Sequence, residues 1–307
     1  MKSVVITGAT GMIGYSLVEY LLQNNVKVTA ILRPNSLKRD IMPHHPLLTV
    51  HECSLSRLYT FKVASDFSAD VFFHLGWEGT NAQSRNDLFL QTDNIKYTLY
   101  AVDLARKMRC KTFVYAGSQA QYGRVEGVLT NSTPSNPETA YGMAKLCAES
   151  MSRNRCKELG IKHSSVRILS VYGPYDGENT MIASTIRKLF SNEPTMFTAC
   201  EQEWDYLYVK DAARAFYLVA EKAADGSVYR LGSGDCRKLS YYIETIRDII
   251  NPAAKLGIGK LPYSDSQVMM LGADISDLKN DVGFEPEYSF QDGIWETIDW
   301  CRKQMDL

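Results

Sequence analysis

Short apolar runs alternate with helical patterns along the first half of the chain. Residues 4–6 have the length and composition of a buried strand, and Ile13, Leu17 and Leu21 follow at i, i+4 and i+8 of a helix. Residues 26–32, 71–75 and 111–116 predict further strands. Between the last two, Ile95, Leu99, Val102 and Ala105 share one helix face. Another helix holds Met143, Leu146, Cys147 and Ser150, ahead of a strand over 164–169. Such strand–helix–strand alternation predicts an α/β fold, a doubly wound parallel sheet with helices on both faces.

After Tyr172-Gly173-Pro174 the regularity weakens. Turn residues become frequent (Pro194, Gly226, Gly232, Gly234, Pro252, Gly257, Gly259, Pro262), and the elements become shorter and mixed. The pattern predicts a first domain over residues 1–172. It is rejoined by about 205–232, where 206–209 and 227–231 read as strands able to return to the first sheet. A smaller mixed C-terminal domain takes 173–204 and 233–307. The chain shows no internal repeat.

Composition narrows the classes. Of 307 residues, 45% are hydrophobic and 22% charged, as in a folded soluble domain rather than a disordered chain. Lys+Arg of 34 against Asp+Glu of 35 leaves a net charge of -1, which points away from a nucleic-acid partner. No apolar run reaches membrane-spanning length, and the N-terminal stretch is too short for a signal peptide. The 7 cysteines (Cys53, Cys110, Cys147, Cys156, Cys200, Cys236, Cys301) form no C-x-x-C pair and are odd in number. They support neither a zinc site nor a disulfide framework, and a cytoplasmic setting is the expectation. The five histidines (His44, His45, His51, His74, His163) show no metal-ligand spacing.

Chemistry first enters at Thr7-Gly8-Ala9-Thr10-Gly11-Met12-Ile13-Gly14, between the first strand and the first helix. Glycines there allow a tight turn and close backbone approach to a pyrophosphate, which then meets the positive end of the helix. A dinucleotide is the expected ligand; the bland alternative is a plain strand–helix turn. In NAD-binding turns an acidic residue about 20 positions on holds the ribose 2′-OH. Here the second strand ends in Ile31-Leu32-Arg33-Pro34, with no acid. Arg33 suits a 2′-phosphate, with Ser36, Lys38 and Arg39 placed to assist, so NADP is expected and NAD is the alternative.

Tyr141-Gly-Met-Ala-Lys145 sets a phenol and an ammonium at i and i+4 of one helix. A cation beside a phenol favours phenolate, and a Tyr so tuned exchanges protons with a carbinol or ketone near neutral pH. The spacing is common, and a second Tyr-x-x-x-Lys runs from Tyr206 to Lys210. That one lies in a strand pattern, where the two side chains do not meet. Ser118, in Phe113-Val-Tyr-Ala-Gly-Ser-Gln-Ala-Gln-Tyr-Gly123, sits just past the end of a strand, where ligands of parallel sheets bind.

These motifs together resemble the extended short-chain dehydrogenase/reductases, the nucleotide-sugar epimerase/dehydratase family. The likeness runs through Gly8/Gly11/Gly14, His74-Leu-Gly76, Asn94, Ser118 with Tyr122-Gly123, Tyr141/Lys145, Tyr172-Gly-Pro174 and Trp204-Asp-Tyr-Leu-Tyr-Val-Lys-Asp211. It ends in Gly283-Phe-Glu-Pro286 and Phe290-Gln-Asp-Gly293. The resemblance implies a Rossmann-type domain, a smaller nucleotide-sugar domain and a homodimer built on helices near 88–108 and 140–158. It implies catalysis by Ser118, Tyr141 and Lys145. Cofactor contacts fall to Gly8, Thr10, Gly11, Met12, Ile13, Gly14, Arg33, Leu75, Tyr141 and Lys145.

Departures from the family pattern narrow the reaction. The 4,6-dehydratases carry Asp-Glu after the catalytic hydroxyl, where this chain has Gln119 and Ala120. The decarboxylases need Glu, and the C3/C5 epimerase/reductases Cys, at the place of Ala120. Simple 4-keto reduction or 4-epimerisation remains. Ser54-Leu55 stands where many members have Asp-Leu against adenine, and Trp204 replaces an Arg that contacts the sugar nucleotide. Arg85, Arg167 and Arg187 are candidates for the pyrophosphate, each with a structural role as its alternative. Trp77-Glu78-Gly79-Thr80 is placed to line the sugar pocket, with packing as Trp77's other role. The favoured expectation is an NADP-dependent reductase of a nucleotide-activated 4-keto-6-deoxysugar. The alternative is a nucleotide-sugar 4-epimerase with bound NAD, and a third reading is a non-catalytic nucleotide sensor.

Overall fold

The computed structural model describes residues 1–36, 38–81, 83–264 and 267–306. Its first strand, β1 (Ser3–Thr7), is buried on both faces: Val4 and Ile6 enter one core and Val5 the other. Double burial of this kind marks a central parallel strand. In chain order follow α1 (Met12–Gln23), β2 (Lys27–Leu32), β3 (Leu48–Glu52), β4 (Val71–His74), α2 (Leu88–Lys107), β5 (Thr112–Ser118), α3 (Ala140–Leu159) and β6 (Lys162–Ile168). β7 (Ser170–Tyr172) starts one residue later. Then come α4 (Met181–Phe190), β8 (Glu203–Tyr208), α5 (Val209–Lys222), β9 (Val228–Leu231), β10 (Cys236–Lys238), α6 (Leu239–Ile250), β11 (Met270–Leu271) and α7 (Phe290–Gln304).

Seven strands form one parallel sheet in the order β3-β2-β1-β4-β5-β6-β9. The winding reverses between β1 and β4, so a crevice opens at their carboxyl ends, the ligand position of doubly wound sheets. Leu17, Val18 and Leu21 of α1 and Ala212, Phe216 and Val219 of α5 cover one face. Ala101, Val102 and Ala105 of α2 and Ala148 and Cys156 of α3 cover the other. A second sheet pairs β8 with β10, β11 and β7. Tyr172, Ile182, Ile186, Tyr208, Ile246, Ile294 and Ile298 form a third core beneath it. No helix among the described residues is long and apolar enough to cross a membrane.

Three expectations change. Of the two segments able to return to the first sheet, 227–231 does so as β9 beside β6, but 206–209 does not. Tyr206 and Tyr208 pair with Ser170 and Tyr172 in the small sheet. Fully buried Asp205 explains this: it accepts from the Ser233 amide (2.6 Å), the Ser233 hydroxyl (2.7 Å) and the Gly234 amide (3.0 Å), tying β8 to the turn after β9. On α2, Ile95 and Leu99 are only half-buried, while polar Gln91, Asn94 and Thr98 lie inside. On α3, Met143, Cys147 and Ser150 face outward; the packed face is Tyr141, Ala144, Lys145, Ala148, Glu149 and Ser152.

Candidate active site

The glycine turn lies at the mouth of the crevice. Gly8 has φ +76°, and a Cβ there would strike the Leu75 carbonyl carbon and the Gly76 amide at 2.6 Å. A Cβ on Gly14 would reach the Gly8 oxygen at 2.2 Å, so α1 packs on the turn with no room for a side chain. Gly11 differs. It caps α1 without a side-chain bond, no acid occupies the first turn, and a Cβ would meet only the Gly8 oxygen at 3.4 Å. The first amides of α1 therefore point into open space with the positive helix end behind them, an arrangement that fits a dinucleotide's pyrophosphate. Thr10, Met12 and Ile13 flank that opening and are half-buried.

Arg33 follows the last residue of β2 and is exposed. It forms no ion pair among the described residues. Ser36 is buried, and its hydroxyl has no partner among the described residues. An orphaned hydroxyl three residues after an exposed arginine fits a ligand rich in acceptor oxygens. Lys38 is exposed and close enough to Asp176 to favour the charge of that half-buried carboxylate. Arg39 does not join the cluster: it pairs with Glu52 at the end of β3.

Tyr141 stands in the first turn of α3, whose N-cap Thr139 accepts from the Gly142 amide. The chain before α2 completes that cap: the Arg85 oxygen accepts from the Tyr141 amide (2.9 Å) and Asn86 Oδ1 from the Ala140 amide (3.3 Å). Burial raises the Tyr141 phenol above its ordinary value, and the Ser118 hydroxyl and the Arg85 charge pull it partly back. The Arg85 guanidinium lies 5.3 Å from the centre of the phenol ring. Lys145 was expected to supply that charge. Its Nζ instead donates to the Ala116 oxygen at 2.7 Å and sits 5.8 Å from the Tyr141 ring centre. Burial drives the Lys145 ammonium down to about 7, and Glu149 opposes the fall.

Ser118 ends β5 and caps a short turn, accepting from the Ala120 amide at 3.2 Å. Its own amide donates to Gln121 Oε1 at 2.8 Å. Gln121 Nε2 donates to Glu149 Oε2 at 2.9 Å, and Glu149 accepts two bonds from Arg167, at 2.7 and 3.0 Å. Arg167 is therefore a buried structural cation rather than a pyrophosphate ligand. Burial alone would raise Glu149, but the Arg167 bonds and charge hold it low. Neither Gln121 nor Glu149 was singled out from the sequence. The available signal was Glu149 at i+4 from Lys145, a carboxylate on the helix face that carries Tyr141 and Lys145.

The other candidates separate. Arg187 pairs with Glu178 at the surface (3.0 Å). Lys210 pairs with Glu296 at 2.6 Å, across the helix start from Tyr206. Trp204 donates from Nε1 to Ser170 Oγ at 2.7 Å, within the small sheet. His74 is fully buried between Thr7 (2.8 Å) and Thr98 (3.3 Å), and burial lowers it to about 3. Gln119 and Ala120 are half-buried beside Ser118 and offer no acid or base. No cluster of metal-ligating side chains occurs among the described residues.

Known proteins share this architecture. A family model described as "NAD dependent epimerase/dehydratase family" matches residues 4–232. The dTDP-4-dehydro-6-deoxyglucose reductase of Escherichia coli is 24% identical over 309 residues, 97% of this chain and 96% of the relative. A Bacillus subtilis protein named an uncharacterized UDP-glucose epimerase is 26% identical over 311 residues, 96% of each chain. The solved UDP-N-acetylglucosamine 4-epimerase of Methanobrevibacter ruminantium, in complex with UDP-N-acetylmuramic acid, superposes with a TM-score of 0.88. It is 26% identical and covers 99% of both chains.

Proposed function

The chain belongs to the NAD dependent epimerase/dehydratase family, and from that premise we propose that it is an NADP-dependent reductase of a nucleotide-activated 4-keto-6-deoxysugar. Membership makes it an enzyme of the oxidoreductase and epimerase type. The observation that carries the finer reading is the end of β2, where Arg33 and the unpartnered Ser36 hydroxyl stand in place of a carboxylate. A 2′-phosphate needs such donors, and an acid there would repel it. Near-complete overlap with the Escherichia coli reductase supports the same reading.

When bound, a nicotinamide dinucleotide would supply the hydride for the sugar C4. The first amides of α1 and the Gly8–Gly14 turn would hold its pyrophosphate, with Arg33 and Ser36 at the 2′-phosphate and the Leu75 backbone at the crevice wall. Lys145 would bind a ribose hydroxyl. Ser118 donates to the carbonyl oxygen and orients it. Tyr141 passes its proton to the oxygen that becomes alkoxide. A buried phenol held protonated at neutral pH is in the state a proton donor requires. Gln119 and Ala120 supply no second proton relay, so elimination and ring inversion at C3 or C5 are outside this chemistry.

The similarity to 4-epimerases favours a second reading, in which the same residues act on a cofactor that is never released. Mass spectrometry of nucleotide released on denaturation separates the two. NADP(H) or an empty site, with NADPH oxidation by a 4-keto-6-deoxysugar nucleotide, supports the reductase. Near-stoichiometric NAD with interconversion of C4 epimers supports the second reading and ends the first. A homodimer belongs to the same proposal, with exposed Leu88 and Phe89 of α2 and Met143 and Met151 of α3 as its apolar surface. Sedimentation of a Phe89→Glu variant as a monomer would support that surface.

A further inference from the structure

We propose that Trp77 is a positioning residue that acts through Lys145, holding the ammonium against the face of its indole ring. The inference rests on the reading above, in which Lys145 serves the cofactor and the proton relay.

Trp77 lies in the loop after β4, beside the crevice. Lys145 Nζ sits 3.9 Å from the centre of the Trp77 ring, well inside the ~6 Å reach of a cation–π contact, and indole is the strongest aromatic partner. The edge of the same ring system meets Tyr141, with centroids 6.0 Å apart and planes at 86°. Trp77 thus touches both members of the α3 pair.

The ring's orientation is built in. Trp77 Nε1 donates to Gln91 Oε1 at 2.9 Å. Gln91 is buried, and its amide nitrogen donates to the Gly79 oxygen (2.8 Å) and the Ser84 oxygen (2.9 Å). Asn94, one turn along α2, accepts from the Glu78 amide (2.8 Å) and donates to the Glu78 oxygen (3.0 Å). These two amides fix the indole nitrogen and the loop that follows it. The polar stripe buried on α2 therefore has a task that packing alone does not explain: it carries the ring to α3.

Lys145 has few other partners. From β5 it meets the Ala116 oxygen (2.7 Å) and the Tyr115 ring (5.2 Å); from its own helix, Tyr141 and Glu149. Glu149 is committed to Arg167 and Gln121. From β4, His74 is neutral. No ion pair to Lys145 occurs among the described residues. An indole face in contact with a desolvated ammonium stabilises only its charged form. Removing the ring should then lower the protonation midpoint of Lys145, whereas removal of a ring that only excludes water would hydrate the ammonium and raise the midpoint.

The test uses ligand-free protein labelled with ¹³Cε-lysine, with the Lys145 signal assigned through K145R. The signal is titrated in the native chain, W77L and W77F. The native midpoint is expected near 7. W77L is expected to lower it by about one pH unit, and W77F by less, since phenylalanine keeps a weaker ring face. An unchanged or raised midpoint in W77L overturns the proposal. If W77L does not fold, W77F decides by the same criterion. NADPH affinity is then measured between pH 6 and 9. Loss in W77L confined to the alkaline side supports the whole chain of inference. A moved midpoint with an unmoved affinity profile supports the Trp77 contact and refutes the role given to Lys145.

Discussion

Two cations are buried close to the same carboxylate and meet opposite fates. Arg167 on β6 is 7% exposed and Lys145 on α3 is 4% exposed. Arg167 places a planar fork on Glu149, and its charge is held above the ordinary value against the cost of burial. Lys145 offers a point charge, and the carboxylate already accepts three bonds from Arg167 and Gln121 and has Arg153 at 3.5 Å. What remains for it is one carbonyl and aromatic faces, and its ammonium falls to about 7. Guanidinium geometry decides which cation wins the carboxylate. Burial is therefore a poor guide to function by itself. A buried charge without its own counter-charge is the informative case, because its proton is loosely held.

The contrast can be broken in several ways. The largest effect belongs to the side with the loose proton. Tyr141→Phe is expected to lower turnover by about 10²–10⁴-fold while urea unfolding stays within about 1 kcal/mol of native. A comparable loss of stability would move Tyr141 to the structural side. Next, Arg167→Met strands Glu149 and is expected to destabilise the fold by roughly 3–5 kcal/mol. A loss below about 1 kcal/mol would show that another cation, Lys145 or the Arg153 that lies 3.5 Å from Glu149, had taken over the carboxylate.

Lys145→Met sharpens the contrast through pH. The folded midpoint of Lys145 lies below its unfolded one, so between about pH 7 and 10 the unfolded chain holds a proton that the native chain lacks. Native stability should then rise with pH across that window by at most about 1.4 kcal/mol per unit. The methionine variant should lack this contribution; identical pH profiles would mean that Lys145 keeps its proton. The smallest structural effect is expected at Arg33, a cation outside the core. Arg33→Asp should shift stability by less than about 0.5 kcal/mol, yet weaken NADPH far more than NADH in equilibrium binding. Equal weakening would remove Arg33 from the 2′-phosphate.

Much of this contrast is legible in the sequence. Six strands of the large sheet announced themselves as apolar runs or sheet-period patterns, and Tyr141 and Lys145 meet because i and i+4 share a helix face. Glu149 lay on that face too, one turn further on. By contrast, no local pattern reveals that Gln91 and Asn94 are buried, since their partners are loop carbonyls and amides 7 to 16 residues away. Alternation marked 206–209 as extended, but alternation cannot say which sheet receives a strand; the buried carboxylate of Asp205 settles that through the turn at Ser233. The choice between the two cations was also illegible, because it depends on which of them reaches Glu149 with two bonds.

The joint between the sheets bears on how a substrate gets in. β6 ends at Ile168 and β7 begins at Ser170, so one residue, Leu169, separates a strand of the large sheet from a strand of the small one. The Leu169 amide is bonded to the Leu231 oxygen at 3.0 Å. The return crossing after Leu231 is gripped by the three bonds to Asp205. Neither crossing has the slack of a tether, and swinging the layers apart would break both sets of bonds at once. On the function proposed above, substrate entry is then left to loops rather than to a hinge between the layers, and the two sheets act as a single chassis.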